Sequence, residues 1–446
     1  MSRFVKATHT ERGLDRLINF SDAVVAIAAT LLILPIVEGL NDTFSPEGDG
    51  LSISGLAESG SQAWTFVFGF LTMFVCWIIH HDTFERVKDY SRGLIVLNFL
   101  WLIAMVFFAF PVGFLYDPNR EVAALMAATL GAILVVLTGT RVYLLRRPEL
   151  MVDPPAKVGK SSYFVWFLPA AVMFVTALAV LVFGQDFIIF FVFAIPMARI
   201  AQKYGLPAPT HTERGMDRLV NFADAVVAIA VTLLILPLVD IITDDRVSPS
   251  GDLVLGSFEV VAKVVTFVFT FWVMSRFWLA NHRVFENVKD YSAGLIGRTV
   301  LWLLLMVLLA LPSALIGQEM GSALYNTGLP LQGVDNLSPE NFYVLASLLF
   351  GFIVALIALF TGGIASYAKR HQELLVDPTQ PLSPRENYYE AAVFLVIGAA
   401  PLVLTRIGYE SLIIWSWVGV FALLPFIRKL AGRQDIAMPS SNDTRS

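Results

Sequence analysis

RLINFSDAVVAIAATLLILP occupies residues 16–35, and RLVNFADAVVAIAVTLLILP returns at 218–237. Each copy opens on an arginine, meets an aspartate six residues later, and then runs without another charge to a proline. A run that long and that apolar crosses about 30 Å of hydrocarbon as a helix. The rest of the chain is of the same kind. Its 446 residues are 57% hydrophobic and 15% charged, with a mean hydropathy of +0.70, more apolar surface than a soluble core of this size can hide. A membrane-spanning barrel would show alternating segments of about ten residues, a pattern absent here. The fold class read from composition is therefore an all-α integral membrane protein.

Twelve spans are predicted: 19–40, 61–82, 93–115, 122–146, 163–183 and 185–200, then 220–241, 257–280, 293–316, 341–367, 388–408 and 411–427. The polar leader carries Arg3, Lys6, Arg12 and Arg16 and enters a full-length apolar run without a small-residue cleavage site, so it reads as a cytoplasmic N-terminus and not as a signal peptide. With both termini cytoplasmic, only Arg120, Arg246, Lys263 and Arg406 of the 31 Lys and Arg fall outside or mid-span, which obeys the positive-inside rule. The opposite loops are acidic, with Glu38, Asp42, Glu47, Asp49 and Glu58 in one and Asp240, Asp244, Asp245 and Asp252 in its counterpart. They read equally as a cation-concentrating vestibule or as plain solvated loops. Asn41-Asp-Thr and Asn336-Leu-Ser match the glycosylation triplet, but the compact loops read as those of a bacterial or archaeal cell-membrane protein. Cys76, the single cysteine, excludes an internal disulfide and fits packing.

The repeat is wider than the opening stretch. THTERGLDRLINFSD at 8–22 pairs with THTERGMDRLVNFAD at 210–224, FERVKDYS at 84–91 with FENVKDYS at 285–292, and ELMVDP at 149–154 with ELLVDP at 373–378. The chain is a duplicated unit of six helices, and an even number makes the two repeats parallel about an axis along the membrane normal. The domain plan is 1–200 for the first repeat, 201–218 for a linker reaching into the second motif, 219–430 for the second repeat, and 431–446 for a polar, disordered tail.

Ala23, Ile27, Thr30 and Leu34 recur at spacings of four, three and four, one helical face, and Ala225, Ile229, Thr232 and Leu236 repeat it. Such a face suits close helix packing, and it also suits an apolar, dewetting constriction. Arg16 and Asp22, like Arg218 and Asp224, stand about 240° apart around a helix, so each charge needs a partner elsewhere. The second helix offers Trp77, His80, His81 and Phe84 in one repeat and Trp278, Asn281, His282 and Phe285 in the other. That W-x-x-(H/N)-H-x-x-F set is open to readings as a static clamp between helices, a gating network or a proton relay. Without accompanying acidic ligands it does not read as a metal site, and no cofactor is implied. No catalytic motif, intramembrane carboxylate pair or buried midplane charge stands out, so the chain does not read as an enzyme. Its dispersed basic residues argue against nucleic-acid binding.

With Arg16, Phe20, Ser21 and Asp22 spelling R-x-x-x-F-S-D, and Trp77 and His80 following on the second helix, the chain resembles the transmembrane protein 175 family of potassium channels over nearly its whole length. The resemblance implies a homodimer of two-repeat chains, with four copies of the first helix around a pseudo-fourfold central pore in the lipid bilayer. It puts the family's hydrophobic constriction on Ile27 and Ile229 and its pore threonine on Thr30 and Thr232. It puts the network of arginine, aspartate, tryptophan and histidine on Arg16, Asp22, Trp77 and His80, and on Arg218, Asp224 and Trp278. The second copy departs from the pattern: its motif reads F-A-D from Phe222 to Asp224, and Asn281 replaces the histidine. The implied activity is a potassium-permeable cation channel, with an endolysosomal membrane the location in a eukaryote. Its alternatives are a proton-leak channel of the same architecture and a twelve-helix secondary transporter. The loop FERVKDYSRG lacks the transporter superfamily's G-x-x-x-D-R-x-G-R-R pattern.

Overall fold

The computed structural model describes residues 11–37, 53–114, 119–154, 160–184, 213–243, 258–325, 339–380 and 382–407, together with Trp417, Gly419, Val420 and Leu423. Among the described residues the protein is all-helical apart from two isolated antiparallel bridges, Val87 with Met151 and Val288 with Leu375. Among the described residues, ten helical stretches are long and apolar enough to cross a membrane. The protein is a multi-pass membrane protein. Of the predicted spans, 185–200 lies outside the described residues, as does 411–427 apart from the four isolated positions.

Contacts divide the chain into two compact units, one of residues 1–35 and 58–225 and one of 36–57 and 226–446. The helices of the first repeat are α1 (Glu11–Leu31), α2 (Ile53–Glu85), α3 (Arg92–Gly113), α4 (Arg120–Leu145) and α5 (Lys160–Phe183). Those of the second are α6 (Glu213–Leu233), α7 (Leu236–Thr243), α8 (Phe258–Phe285), α9 (Ala293–Leu308), α10 (Ala310–Tyr325), α11 (Pro339–Arg370) and α12 (Pro384–Arg406). In the first unit α4 packs between α3 and α5, and α1 lies against α3. In the second, α11 packs on α12, α9 and α10, and α8 on α10 and α11.

Neither first helix is the unbroken span that hydropathy predicts. The chain leaves the helix at Leu32 and Ile33 and again at Leu234 and Ile235, with Ile33 N–H donating to Thr30 O at 3.2 Å and Ile235 N–H to Thr232 O at 3.2 Å. Pro35 and Pro237 cause it. Proline brings no N–H and its ring crowds the carbonyl four residues back, so the turn before it tightens to three-residue bonding. Leu34 and Leu236 follow the break, beyond the register that links Ala23 to Thr30.

The other duplicated motifs build a clip at one end of each repeat. Ser91 and Ser292 cap α3 and α9, accepting the N–H of Leu94 and of Leu295, both at 3.3 Å. Each hydroxyl also meets a tyrosine from across the unit, Tyr143 at 2.8 Å and Tyr367 at 2.9 Å. The ELMVDP segment makes a short 3-10 turn at Pro148–Leu150, and ELLVDP makes one at Gln372–Leu374. From these turns Leu150 O accepts Lys88 N–H and Leu374 O accepts Lys289 N–H, both at 2.9 Å. These motifs recur because they terminate helices and tie their ends together, and that satisfies backbone groups which would otherwise be stranded near the membrane.

In the second unit α11 and α12 cross at Gly351 and Gly398. A methyl on Gly351 would lie 2.7 Å from the Gly398 Cα and from the Phe394 carbonyl, backbone atoms that cannot give way. Small residues bring helix backbones together where lipid supplies no hydrophobic drive for association.

Candidate functional site

Asp22 is 2% exposed and saturated with donors. Its Oδ1 accepts Trp77 Nε1 at 2.8 Å and Arg218 Nη2 at 2.9 Å, and its Oδ2 accepts Arg218 Nε at 2.9 Å. Arg218, also 2% exposed, spends Nη1 on the His81 carbonyl at 3.1 Å. Phe222 stacks on Trp77 at 4.2 Å between ring centroids and closes the apolar side. A fork of parallel N–H···O bonds is the strongest pairing these groups can make, and burial strengthens it further.

The sequence placed the partners of Asp22 on the second helix. Trp77 is one, but the arginine comes from the signature of the other repeat. One turn earlier on α6, Arg214 meets Asp15 at 3.1 Å and donates to the Val87 carbonyl at 3.1 Å. Two arginines of the second signature thus anchor the head of α6 to the first repeat, within a single unit.

A second chain of polar groups runs beside it. His80 Nε2 bonds Asn98 Oδ1 at 2.9 Å, Asn98 Nδ2 donates to Ser21 Oγ at 2.8 Å, and Ser21 Oγ donates to the Leu17 carbonyl at 2.8 Å. The imidazole lies flat on Trp101, 3.9 Å between centroids, and on Phe84 at 4.2 Å. Asn98 escaped the sequence reading, because a lone amide in an apolar run carries no spacing signal. The same positions in the second repeat are Ala223, Asn281 and Thr299. All three members change together, so this chain belongs to the first repeat alone.

The second repeat differs at the arginine and aromatic positions as well. Arg16 and Phe20 are exposed where Arg218 and Phe222 are buried. Asp224 and Trp278 are partly exposed. His282 stacks on Trp278 at 5.1 Å and reaches Glu286 at 3.2 Å, while Asn281 is buried at 5% exposure. A further buried charge pair lies near the helix ends of the second unit. Arg276 of α8 pairs with Glu390 of α12, whose side chain is 0% exposed. The sequence singled out neither residue, because the two partners lie on helices far apart in the chain.

On the predicted pore face, Ile27 is 46% exposed, Ala23 and Leu34 are intermediate, and Thr30 is fully buried. The Thr30 hydroxyl donates to the Ala26 and Ile27 carbonyls, both at 2.9 Å. In the second copy Ala225, Ile229 and Leu236 are intermediate and Thr232 is exposed, its hydroxyl bonded to the Ile229 carbonyl at 2.7 Å. Outside the membrane spans, Asp377 receives the Thr379 hydroxyl and N–H, which hold its carboxyl below the usual range.

Comparison with known proteins agrees with this picture of two related signatures. The family model described as "Endosomal/lysosomal potassium channel TMEM175" matches twice, over residues 16–108 and 218–310. A protein named a potassium channel from Streptomyces collinus is 35% identical over 106 residues, 23% of this chain and 47% of that one. A second potassium channel, from Chamaesiphon minutus, is 34% identical over 113 residues, 24% of this chain and 52% of its own. The human protein named endosomal/lysosomal proton channel TMEM175 is 33% identical over 101 residues, 21% of this chain and 19% of that protein. The chain thus spans about half the length of the bacterial relatives and about a fifth of the human one. The signature, the tryptophan on the second helix and the match to the transmembrane protein 175 family model are each present in both halves, so the chain is similar to that family twice over.

Proposed function

We propose that this protein is a potassium-permeable cation channel, formed by two copies of the two-repeat chain with twelve spans each and both termini cytoplasmic. Four first helices, α1 and α6 from each copy, surround a pseudo-fourfold axis. The observation that carries this reading is the fork from Arg218 to Asp22. It holds the heads of α1 and α6 side by side, as neighbours in a ring must be, and it leaves the equivalent Arg16 exposed. Repeating the contact from Arg16 to the Asp224 signature of a second copy closes the ring.

The neck is the apolar level of Ile27 and Ile229, where a narrow greasy ring excludes water and gates by dewetting. Ile27 supports this by standing exposed on a helix whose other faces are buried. The exposed Thr232 hydroxyl follows one turn later. Discrimination comes from neck width and partial dehydration, so preference for potassium over sodium is modest. The names of the bacterial relatives support potassium as the permeant ion, and that of the human relative makes protons the next ion to test.

Replacing both Ile27 and Ile229 with Asn wets the neck. In planar bilayers the double variant has a higher unitary conductance and a potassium-to-sodium permeability ratio closer to one. An unchanged ratio places the neck elsewhere. Saturable counterflow without unitary currents would convert the reading to a secondary transporter.

A further inference from the structure

Arg298 stands inside the apolar span of 293–317, about 9 Å along α9 from the cap at Ser292. Because Cβ atoms lean toward a helix N-terminus, its long side chain turns back toward the clip. Nη1 donates to the Gly294 carbonyl at 2.7 Å, and the guanidinium lies over the Tyr367 ring of α11, 4.3 Å from the centroid. That ring's hydroxyl meets Ser292 at 2.9 Å, and His371 stacks on the ring at 4.0 Å. No carboxylate among the described residues pairs with Arg298. One carbonyl and a cation-π contact occupy little of a group with five N–H donors. A charge within a span calls for an opposite charge or polar partners, and the described helices bring no anion to it.

Open room adjoins the charge. Of the described residues of α9, only Ala293, Gly297 and Leu301 are exposed, four apart along one strip of the helix. A Cβ at Gly297 would meet nothing within 4 Å, and the same holds at Gly363, one turn deeper than Tyr367 on α11. The first repeat has neither feature. Val96 and Leu97 hold the positions of Gly297 and Arg298, and Val96 is 57% exposed. Two adjacent changes thus clear a side chain from the surface and set a cation beside the gap, in the second repeat alone. Close helix packing does not account for the glycine, since its position touches no neighbour.

We infer that Arg298 binds the headgroup of an anionic phospholipid, its guanidinium holding the phosphate while an acyl chain lies over Gly297 and along Leu301. Arginine's fork of donors matches phosphate oxygens, and a position less than two turns into the span lies at headgroup depth. The exposed Lys369 and Arg370 at the end of α11 raise the positive potential around it. A soluble anion has no use for the apolar strip, and a zwitterionic headgroup carries its own cation and gains less from the arginine. Bound there, the lipid ties α9 to α11 at their clip ends. In the topology proposed above this leaflet is the cytoplasmic one; the site does not depend on that assignment or on the channel reading.

Native mass spectrometry of the full chain, ejected from nanodiscs of equal phosphatidylglycerol and phosphatidylcholine, reads which lipid stays bound. Phosphatidylglycerol should be enriched on the native protein. Arg298→Leu, which installs the first-repeat residue, should reduce that preference roughly fivefold, the share of one basic residue near a membrane surface. Gly297→Val keeps the charge, enters open space without a clash, and should also lower retention of phosphatidylglycerol; it carries the test if Arg298→Leu does not fold. Arg370→Gln, at the exposed rim, should change the preference less than Arg298→Leu does. No enrichment on the native protein, unchanged retention in either α9 variant, or equal losses in Arg298→Leu and Arg370→Gln would overturn the site. An excess of glycerol phosphate should leave the lipid in place; displacement by this headgroup without chains would make the site one for soluble anions and overturn the lipid reading. If Arg298→Leu keeps the lipid preference but loses the dimer in the same spectra, the arginine serves an interface between copies instead.

Discussion

Removing Arg218 is the sharpest perturbation of the signature network. Arg218→Ala strips two of the three hydrogen bonds on the Asp22 carboxylate and leaves it beside Trp77 alone, in a pocket where both charged residues are 2% exposed. Breaking one side of a buried pair costs about 3–5 kcal/mol, because the surviving charge is stranded without water. At about 2–4 °C per kcal/mol for a unit of this size, melting falls by roughly 6–20 °C. Arg218→Lys keeps the charge but loses the fork, and falls between. Arg218→Met with Asp22→Leu removes both charges and recovers most of the loss, since matched apolar replacement of a buried pair is close to neutral. Arg16→Ala is the contrast: the side chain is exposed within one chain, so the melting of isolated chains shifts by only about 0–1 kcal/mol equivalent. Its effect falls on assembly, with a loss of dimer. Tryptophan-fluorescence melting of purified protein in detergent, with light scattering after gel filtration, reads both quantities. If Arg218→Ala melts within about 2 °C of the native protein, the fork does not hold the two helix heads together and the ring loses its foundation.

Two further outcomes are expected. Thr232→Val should lower the potassium-to-sodium permeability ratio read from bi-ionic reversal potentials, whereas Thr30→Val, whose hydroxyl is buried and returned to its own helix, should leave it unchanged; equal effects would show that the two threonines stand equivalently toward the ion path. Gly351→Ala should destabilise the second unit by about 1–3 kcal/mol, since its methyl meets the Gly398 backbone, and native-like melting would mean α11 and α12 separate without cost.

Much of this protein is legible along the chain because lipid is an unforgiving solvent. Any span must be helical and about twenty residues long, so hydropathy alone marks the helices, though not the breaks before Pro35 and Pro237. Duplication is visible by inspection, and the signature residues Arg16, Asp22, Trp77 and His80 stand out because charge is rare in such runs. Direction in space is what sequence did not supply. From Ala23 onward α1 is apolar on every side, so periodicity within that stretch has no contrast to distinguish the exposed Ile27 from the buried Thr30. Tertiary packing decided those azimuths. It also decided that Asp22 is answered by an arginine from the other repeat, and that Arg276 and Glu390 meet across more than a hundred residues. Long-range pairing depends on which helices become neighbours, and that is set by the sum of many weak packing contacts that no local pattern records.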